Sequence, residues 1–586
     1  MNEKNEEQSI SISMIVAILV STAIYALLVY LFDFYYDLND DILIADILSG
    51  TYSGTVEAHN IQMLYPLAWI YTKLYNLNPA FPWMGASEIA IMWFCAVLVF
   101  ERTHRLIAEN VEKKSLRIIS VIGMYVCGII FLFGVNLWEM VVLQYTVVCG
   151  VMAATAAYLV FTDEVFTVAD NIPSIVLVIL AFNMRSEMLL LMCPYLAAVG
   201  ICKWISEGFS RSVNGKYLLF LAILVAGIGA SFFIDAKAYS SEEWTEFRRL
   251  FDARTEVYDF TGIPDYENNK AFYDSQHATE EDYNRLVDYN YALSDRMNAQ
   301  FMENIAEYAS GQKAVNQSLA MALFENIKDM ACIRTPGGRD KMIVSESAFY
   351  EDNMKMHIPF NFIVILLYAA AIWGAIVTKE IRWAYMLPVL FVMRTIAWGY
   401  VIYKGRVNAR IAHPMYFIEV LILIAMLLMA WIESSYSTKR VKLVTTWMMV
   451  LGFGAATLVS ALFIPTTIKN DLKAKTEIRE EANVLGRELY RYTSSNPRNY
   501  YFIDVYSSVG FTQKVFEKDV YSKANTQLAG GWAALSPIDA NKQSYYTDKS
   551  NWYFISKDDL QDGFVLTDTI VTADGKQTLY VYSMYE

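Results

Sequence analysis

Long apolar runs recur along the chain, separated by polar stretches of very different length. A helix needs roughly 20 apolar residues to cross a bilayer. Runs of about that length fall at 12–33, 82–100, 116–135, 139–161, 172–184, 187–204, 216–234, 358–377, 383–403, 411–431 and 443–464. The pattern therefore predicts an all-α polytopic membrane protein of about eleven transmembrane helices.

The distribution of basic residues orients these predicted spans, because short cytoplasmic loops are enriched in Lys and Arg. One set of short loops holds thirteen basic residues: Arg102, Arg105, Lys113, Lys114, Arg117, Lys203, Arg211, Lys216, Lys379, Arg382, Lys439, Arg440 and Lys442. The opposite set holds five: Lys73, Arg185, Lys404, Arg406 and Arg410. We expect the N-terminus in the cytoplasm and the C-terminus on the opposite side of the membrane.

Three long polar segments then face outward, at 34–81, 235–357 and 465–586. The last begins with a helical pattern at 469–493 and continues with strand-like runs at 500–506, 552–556, 564–571 and 579–583. We expect a transmembrane domain over 1–464, carrying amphipathic helices in its first outer loop and a helical insertion at 235–357. A small extracytoplasmic α/β or α+β domain follows over 465–586.

Composition narrows the class of function. The 586 residues are 55% hydrophobic and 18% charged, whereas soluble domains carry about 25% charged residues. The net charge of −14 argues against nucleic acid as a partner. The cytoplasmic loops are short and contain neither a P-loop nor a GxGxxG motif. Chemistry is therefore expected on the outer side, with a donor that arrives through the membrane on a lipid carrier.

Asp40 and Asp41 are the first candidates for that chemistry. They follow the first apolar run and precede an apolar stripe typical of a helix that lies along the membrane surface. Two adjacent carboxylates suit a general base, or a divalent cation such as Mg²⁺ or Mn²⁺ if the protein depends on a metal. A helix cap with a solvated charge is the alternative. Asp41 is favoured as the base, because it is nearer the helix.

This layout resembles the GT-C superfamily of polytopic glycosyltransferases, and bacterial membrane proteins of that type with a similar Asn39-Asp40-Asp41 start. The match consists of Asp40 and Asp41, the amphipathic segments 42–50 and 60–77, and the outer tail. The resemblance implies transfer of a sugar from a polyprenyl-phosphate carrier, with an aspartate as base or metal ligand. Oligosaccharyltransferases of the superfamily carry a Trp-Trp-Asp signature, and Gly530-Gly531-Trp532 is not that signature.

Basic residues near the predicted outer surface are candidates for binding the carrier phosphate. Lys404, Arg406 and Arg410 crowd a loop that the positive-inside rule should deplete, and His413 follows. An arginine fork binds two phosphate oxygens at once. If the loop is helical, Arg406 and Arg410 share one face, with His413 three residues further on. Anionic lipid headgroups, or the acidic segment 235–357, are the alternative partners.

Three further residues complete the candidate substrate site. His59 either pairs with a phosphate or carboxylate near Asp41, or it is a capping or hydrogen-bonding residue of the loop. Arg185 either forms a salt bridge with Glu187 or lies in the catalytic cavity. Arg394 falls within a predicted span, where it either pairs with a carboxylate or binds a ligand.

The function expected from the sequence is glycosyl transfer at the outer face of the membrane. A polyprenyl-phosphate sugar would be the donor, and a glycan, teichoic acid, lipid or protein of the cell envelope would be the acceptor. The alternative is a transporter or flippase of a lipid-linked or anionic envelope precursor. Such a protein usually has repeated halves, and the sequence shows no internal repeat.

Overall fold

Helices make up most of the chain. The computed structural model describes residues 3–37, 39–312, 319–330, 357–378, 381–434, 438–517, 521–560 and 564–584. In these residues the α-helices are α1 (Glu3–Leu31), α2 (Asn39–Ser49), α3 (Tyr65–Leu77), α4 (Trp83–Asn110), α5 (Lys114–Val135), α6 (Leu137–Val141), α7 (Tyr145–Phe161), α8 (Ile172–Met184), α9 (Ser186–Glu207), α10 (Arg211–Ala238), α11 (Glu242–Thr255), α12 (Lys270–Ser275), α13 (Glu280–Val287), α14 (Ala299–Gln312), α15 (Leu319–Met330), α16 (Phe360–Thr378), α17 (Ile381–Tyr403), α18 (Ala409–Ser434), α19 (Lys439–Thr466), α20 (Ala474–Ser495), α21 (Val505–Ser508) and α22 (Pro537–Ser544). The strands are β1 (Tyr35–Tyr36), β2 (Val142–Leu143), β3 (Tyr500–Ile503), β4 (Thr526–Leu528), β5 (Trp552–Ser556), β6 (Val565–Val571) and β7 (Thr578–Ser583).

Nine helices in the described part of the chain are long and apolar enough to cross a membrane. They lie in α1, α4, α5, α9, α10, α16, α17, α18 and α19. The protein is therefore a mainly helical, multi-pass membrane protein, as predicted. The predicted spans 139–161 and 172–184 correspond instead to the shorter apolar helices α7 and α8. The predicted number of eleven spans thus stays a prediction.

The predicted helix at 139–161 is interrupted. The chain forms the short helix α6, then β2, and only then the 17-residue helix α7. Gln144 starts α7, because its side-chain Oε1 accepts hydrogen bonds from the backbone N–H groups of Thr146 and Val147 at 2.7 and 3.1 Å. Such a cap satisfies N–H groups that the first turn leaves unpaired. Hydropathy does not reveal a helix start that depends on one polar side chain.

The chain divides into two compact units. The helical unit consists of Met1–Tyr35, Gly85–Ser231 and Gln317–Ala474. The mixed unit consists of Tyr36–Met84, Phe232–Asn316 and Lys475–Glu586. The mixed unit thus draws together residues from all three segments predicted to face outward, rather than from 465–586 alone. Residues 313–318 and 331–356 of the predicted insertion lie outside the described residues.

Helices α7 and α18 form the centre of the helical unit. Every residue of α7 is buried. In α18, 83% of the residues in its apolar 18-residue window are buried. The two helices pack against each other, and α7 also packs against α8 and α9. In α5 only 17% of the corresponding window is buried, so this helix presents an apolar surface of the kind that faces lipid.

The mixed unit contains a five-stranded sheet in the order β4-β3-β5-β7-β6. Strands β4, β3 and β5 are parallel, while β7 is antiparallel to β5 and β6. All four residues of β3 are buried, as a central parallel strand requires. Successive side chains point to opposite faces, so Tyr501 and Ile503 join a core with Leu489 of α20, while Tyr500 and Phe502 join a second core.

The strand-like runs in the sequence each overlap an observed strand, namely β3, β5, β6 and β7. Strand β4 was missed. It has three residues, Thr526–Leu528, which is too short to show a periodic pattern. It pairs with β3 along one edge of the sheet, with Thr526 opposite Tyr501.

Candidate functional site

The carboxylates of Asp40 and Asp41 lie in the first turn of α2. The helix begins at Asn39, so neither aspartate takes the cap position that was its structural alternative. Adjacent residues of an α-helix point about 100° apart, and the environments of the two differ accordingly. Asp41 is 0% exposed, whereas Asp40 is partly exposed. The residue favoured as base from sequence is therefore the less accessible of the two.

A tight loop after β4 brings an indole to Asp40. The Nε1 group of Trp532 donates a hydrogen bond to Oδ1 of Asp40 at 3.0 Å. Two glycines shape the approach: Gly531 has a φ of 92°, and a Cβ on Gly530 would lie 1.8 Å from the carbonyl oxygen of Tyr289. The run Gly530-Gly531-Trp532 is not the Trp-Trp-Asp signature. Its tryptophan nevertheless forms a hydrogen bond with the candidate base.

The aspartate pair does not have the form of a chelating site. Side chains at consecutive helix positions do not face each other, and only Asp40 is accessible. In the described part of the chain, no group of three or more His, Cys, Asp or Glu side chains is placed to hold a metal ion. A divalent cation such as Mg²⁺ or Mn²⁺ at Asp40 and Asp41 therefore stays a prediction.

The His59 ring takes the hydrogen-bonding role that was the alternative to substrate binding. Its Nδ1 lies 2.7 Å from Oε1 of Glu57, and its Nε2 lies 3.2 Å from the carbonyl oxygen of Ala238. Burial raises the pKa of Glu57, but hydrogen bonds from His59 outweigh it, and the net pKa is lower than usual. The ring packs among three aromatic side chains, Tyr65, Tyr239 and Trp244. The carboxylate that pairs with His59 is thus Glu57.

Sequence reasoning missed a buried cluster of charged and polar groups in the mixed unit, which we call the Tyr52 cluster. Nζ of Lys523 lies 2.7 Å from Oδ2 of Asp46. The Tyr52 hydroxyl donates to Oδ1 of Asp539 at 2.5 Å. Nζ of Lys542 sits 3.4 Å from the centre of the Tyr52 ring. The five side chains of the cluster are less than 9% exposed; they are Asp46, Tyr52, Lys523, Asp539 and Lys542. The sequence signal is weak: Asp46 interrupts the apolar stretch of α2, and Tyr52 follows that helix.

Burial shifts the pKa values of Asp539 and Lys542 towards neutral pH. Loss of hydration raises the pKa of Asp539 to about 6, against the opposing effects of Lys542 and Tyr52. The same loss lowers the pKa of Lys542 to about 7. Both shifts favour the uncharged forms, as expected for ionisable groups away from water.

Arg185 and Arg394 of the helical unit both pair with carboxylates. For each arginine, a carboxylate partner was one of the two alternatives drawn from the sequence. Nε of Arg185 lies 3.2 Å from Oε2 of Glu187. Nε of Arg394 lies 2.9 Å from Oε1 of Glu419. The Arg394 site is closed: arginine and glutamate are 1% and 0% exposed, and Asn326 accepts a further hydrogen bond at 2.6 Å.

The basic loop before α18 is not helical. Helix α17 ends at Tyr403, and Gly405 follows with a φ of 71°, a conformation that closes helices and that glycine adopts readily. The chain becomes helical again at Ala409. Arg410 therefore lies in the first turn of α18, whereas Arg406 lies in the loop. The condition under which Arg406 and Arg410 would share a helix face is therefore not met.

His413 is three residues beyond Arg410 on α18 and pairs with a carboxylate. Its Nδ1 is bonded to Oε1 of Glu139 on α6. The glutamate is 4% exposed, and the imidazole also packs against the ring of Phe360. Both Arg410 and Arg406 are half-buried, and Lys404 is exposed.

The predicted site residues divide between the two units. Asp40, Asp41 and His59 belong to the mixed unit; the others, Arg185, Arg394, Lys404, Arg406, Arg410 and His413, belong to the helical unit. No protein-family model, curated protein or solved structure matches the chain. Any assignment of function therefore depends on the residues themselves.

Proposed function

We propose that the protein is a GT-C-like glycosyltransferase of the prokaryotic plasma membrane. It moves a sugar from a polyprenyl-phosphate carrier to a cell-envelope acceptor on the outer face. One observation carries the proposal: α2, the first helix after the N-terminal apolar helix, presents a partly exposed carboxylate, Asp40, held by the indole of Trp532. A general base needs an accessible carboxylate with a defined direction.

In this mechanism Asp40 takes the proton of the acceptor hydroxyl. The acceptor oxygen forms a bond to the anomeric carbon of the sugar, and the bond from that carbon to the carrier phosphate breaks. The phosphate leaves with the electron pair. The hydrogen bond from Trp532 sets the direction of the carboxylate, so Trp532 is a positioning residue. Asp41 is buried, so Asp40 is the carboxylate that an acceptor can reach.

The carrier phosphate is assigned to the basic residues of the helical unit, independently of Asp40. Arg410 in the first turn of α18 is the leading candidate, since a helix N-terminus and a guanidinium both favour an anion. Arg406 and Lys404 add positive charge from the adjoining loop. His413, which is already paired with Glu139, orients the same turn of α18.

A second candidate function is transport or flipping of a lipid-linked precursor. The buried Arg394–Glu419 pair between two apolar helices favours it, because ionisable groups inside membrane helices often mark a pathway. The closed hydrogen bonding of that pair, which also includes the Tyr368 hydroxyl at 3.0 Å from Glu419, fits a structural tie between helices equally well.

Cell-envelope glycans test the proposed function. Cells that lack the gene are complemented with the parent, Asp40→Asn or Asp41→Asn, and their envelope glycans are compared by mass spectrometry. Asp40→Asn should lower the modification by about 10²–10⁴-fold, the usual cost of losing a general base, at an unchanged protein level. Asp41→Asn should act mainly on that level. An intact glycan profile with Asp40→Asn would exclude Asp40 as the base.

A further inference from the structure

A partly open cavity of about 170 Å³ lies inside the mixed unit. It is bordered by α2, α20 and the edge strand β4. One face of α2 lines it, through Asn39, Ile42, Leu43 and Asp46, and neither Asp40 nor Asp41 is part of this lining. The cavity is therefore distinct from the Asp40 carboxylate, although both are built on the same helix.

Buried polar groups line one wall of this cavity. Asp46 and Lys523, at 5% and 7% exposure, form their 2.7 Å ion pair there. Gln527 also lines the wall and is 1% exposed. Its Oε1 accepts hydrogen bonds from Tyr500 and Gln543. Its Nε2 has no acceptor in the described part of the chain. Buried amide groups are normally paired, so Gln527 retains a donor for a ligand.

Aromatic rings also line the cavity. Tyr52, Tyr490 and Phe511 all contribute to it. The Tyr52 ring is fixed from outside the cavity, since Asp539 accepts a hydrogen bond from its hydroxyl group and Lys542 packs on its face. A rigid aromatic surface facing a set of hydrogen-bonding groups suits a ligand with an apolar face and a polar rim.

We infer that this cavity binds a single sugar ring. A pyranose has C–H groups that pack on aromatic rings, and hydroxyls that both donate to Asp46 and accept from Lys523 and Gln527. The size agrees, because a cavity of about 150 Å³ holds one six-membered ring, whereas sites for drug-sized ligands start at about 300 Å³. The Asp46–Lys523 pair is neutral overall, and Arg487, Lys514 and Glu517 add charges of both signs to the lining.

The choice of a sugar rests on the proposed function, whereas the cavity and its lining do not. In the glycosyltransferase proposed above, the ring belongs to the glycan that the protein modifies. The Tyr52 cluster then has a role: its buried charges hold Tyr52 and Lys523 in fixed positions against the ligand. Binding of a free sugar needs neither donor nor turnover, so it is measurable separately from transfer.

Saturation-transfer-difference NMR on the full chain in nanodiscs tests the inference. The probes are the methyl pyranosides of glucose, galactose, mannose and N-acetylglucosamine. At least one should bind to the parent protein. Leu43→Trp, which fills the cavity, should abolish its binding. Asp46→Asn should weaken it about tenfold or more, since hydrogen bonds to charged groups are worth about 1.5–3 kcal/mol.

Matched variants separate binding from folding. Leu566→Trp places the same bulk at an exposed position of β6, and Asp282→Asn makes the same change at a buried aspartate away from the cavity. Both should bind like the parent.

If Asp46→Asn fails to fold, the result for Leu43→Trp decides. The inference is overturned if the parent binds none of the four probes, or if Leu43→Trp binds as tightly as the parent. Asp40→Asn should still bind sugar, so that failed binding and failed transfer remain distinguishable.

Discussion

The contact between Asp40 and Trp532 is where a single side chain matters most to the proposed chemistry. Trp532→Phe keeps the ring but removes the N–H group that donates to Asp40 at 3.0 Å. Transfer should fall about tenfold or more, because a hydrogen bond to a charged group is worth about 1.5–3 kcal/mol, with little loss of folded protein. An enzyme assay beside a melting curve measures both.

A matched control exists for this substitution. Trp552 is equally buried, at 8% exposure, and its indole donates to the carbonyl oxygen of Tyr546 at 2.9 Å. Trp552→Phe should therefore affect stability to a similar extent and leave transfer unchanged. Equal loss of transfer in the two variants would show that Trp532 acts only through folding.

The raised pKa of Asp539 predicts how the stability of the protein depends on pH. Its pKa is about 6 in the folded protein and about 3.8 in a solvated chain, so the folded state binds more protons between these values. Stability must then fall as the pH rises from about 4 to 6, by at most roughly 1.4 kcal/mol per pH unit. Asp539→Asn should flatten the dependence of the melting temperature on pH over this window. Asp265→Asn, at an exposed aspartate, should keep it.

At the scale of elements, the turn between α17 and α18 separates the two arginines of the basic loop. Since Arg410 is in α18 and Arg406 precedes it, we expect them to contribute unequally. Arg410→Lys keeps the charge but loses the planar fork, and should weaken binding of a polyprenyl-phosphate donor about tenfold. Arg406→Lys should have a smaller effect. Titration of the donor into the purified protein measures both.

Arg440→Lys is the control for these variants, because Arg440 is exposed and was predicted to lie on the opposite side of the membrane. It should bind the donor like the parent. Parent-like binding by both Arg410→Lys and Arg406→Lys would assign the loop to lipid headgroups instead of the carrier phosphate.

Elements whose pattern is long and regular could be predicted from the sequence, and elements set by single contacts could not. Nine apolar helices and four of the strands in the sheet correspond to predicted segments. The break at Gln144, the end of α17 at Gly405 and the short strand β4 each depend on one or a few residues. A hydropathy window averages over such signals.

The candidate site was predictable only in part, for a related reason. Asp40 and Asp41 were found because they are adjacent and follow an apolar run. The partners that define their surroundings are remote in sequence: Trp532 is 492 residues from Asp40, and Asp539 is 487 residues from Tyr52. No periodicity connects such positions. They become visible only once the three segments of the mixed unit are assembled.

At the scale of the whole molecule, the orientation in the membrane is open to direct measurement. The thirteen-to-five asymmetry of basic residues predicts the mixed unit outside. Ser550 and Ser210 are both exposed. A membrane-impermeant maleimide should label Ser550→Cys in intact cells. It should label Ser210→Cys only after permeabilisation, as read by peptide mass spectrometry. The reverse pattern would place the chemistry in the cytoplasm.

The most direct test of the glycosyltransferase is turnover by the purified protein. The parent and Asp40→Asn, reconstituted in liposomes, receive a polyprenyl-phosphate carrier loaded with a labelled sugar, together with envelope acceptors. The account predicts that the parent releases polyprenyl phosphate and labels an acceptor, while Asp40→Asn does so about 10²–10⁴-fold more slowly. Passage of the intact lipid-linked sugar across the bilayer, at the same rate for both proteins and without release of the carrier, would contradict it and identify a flippase.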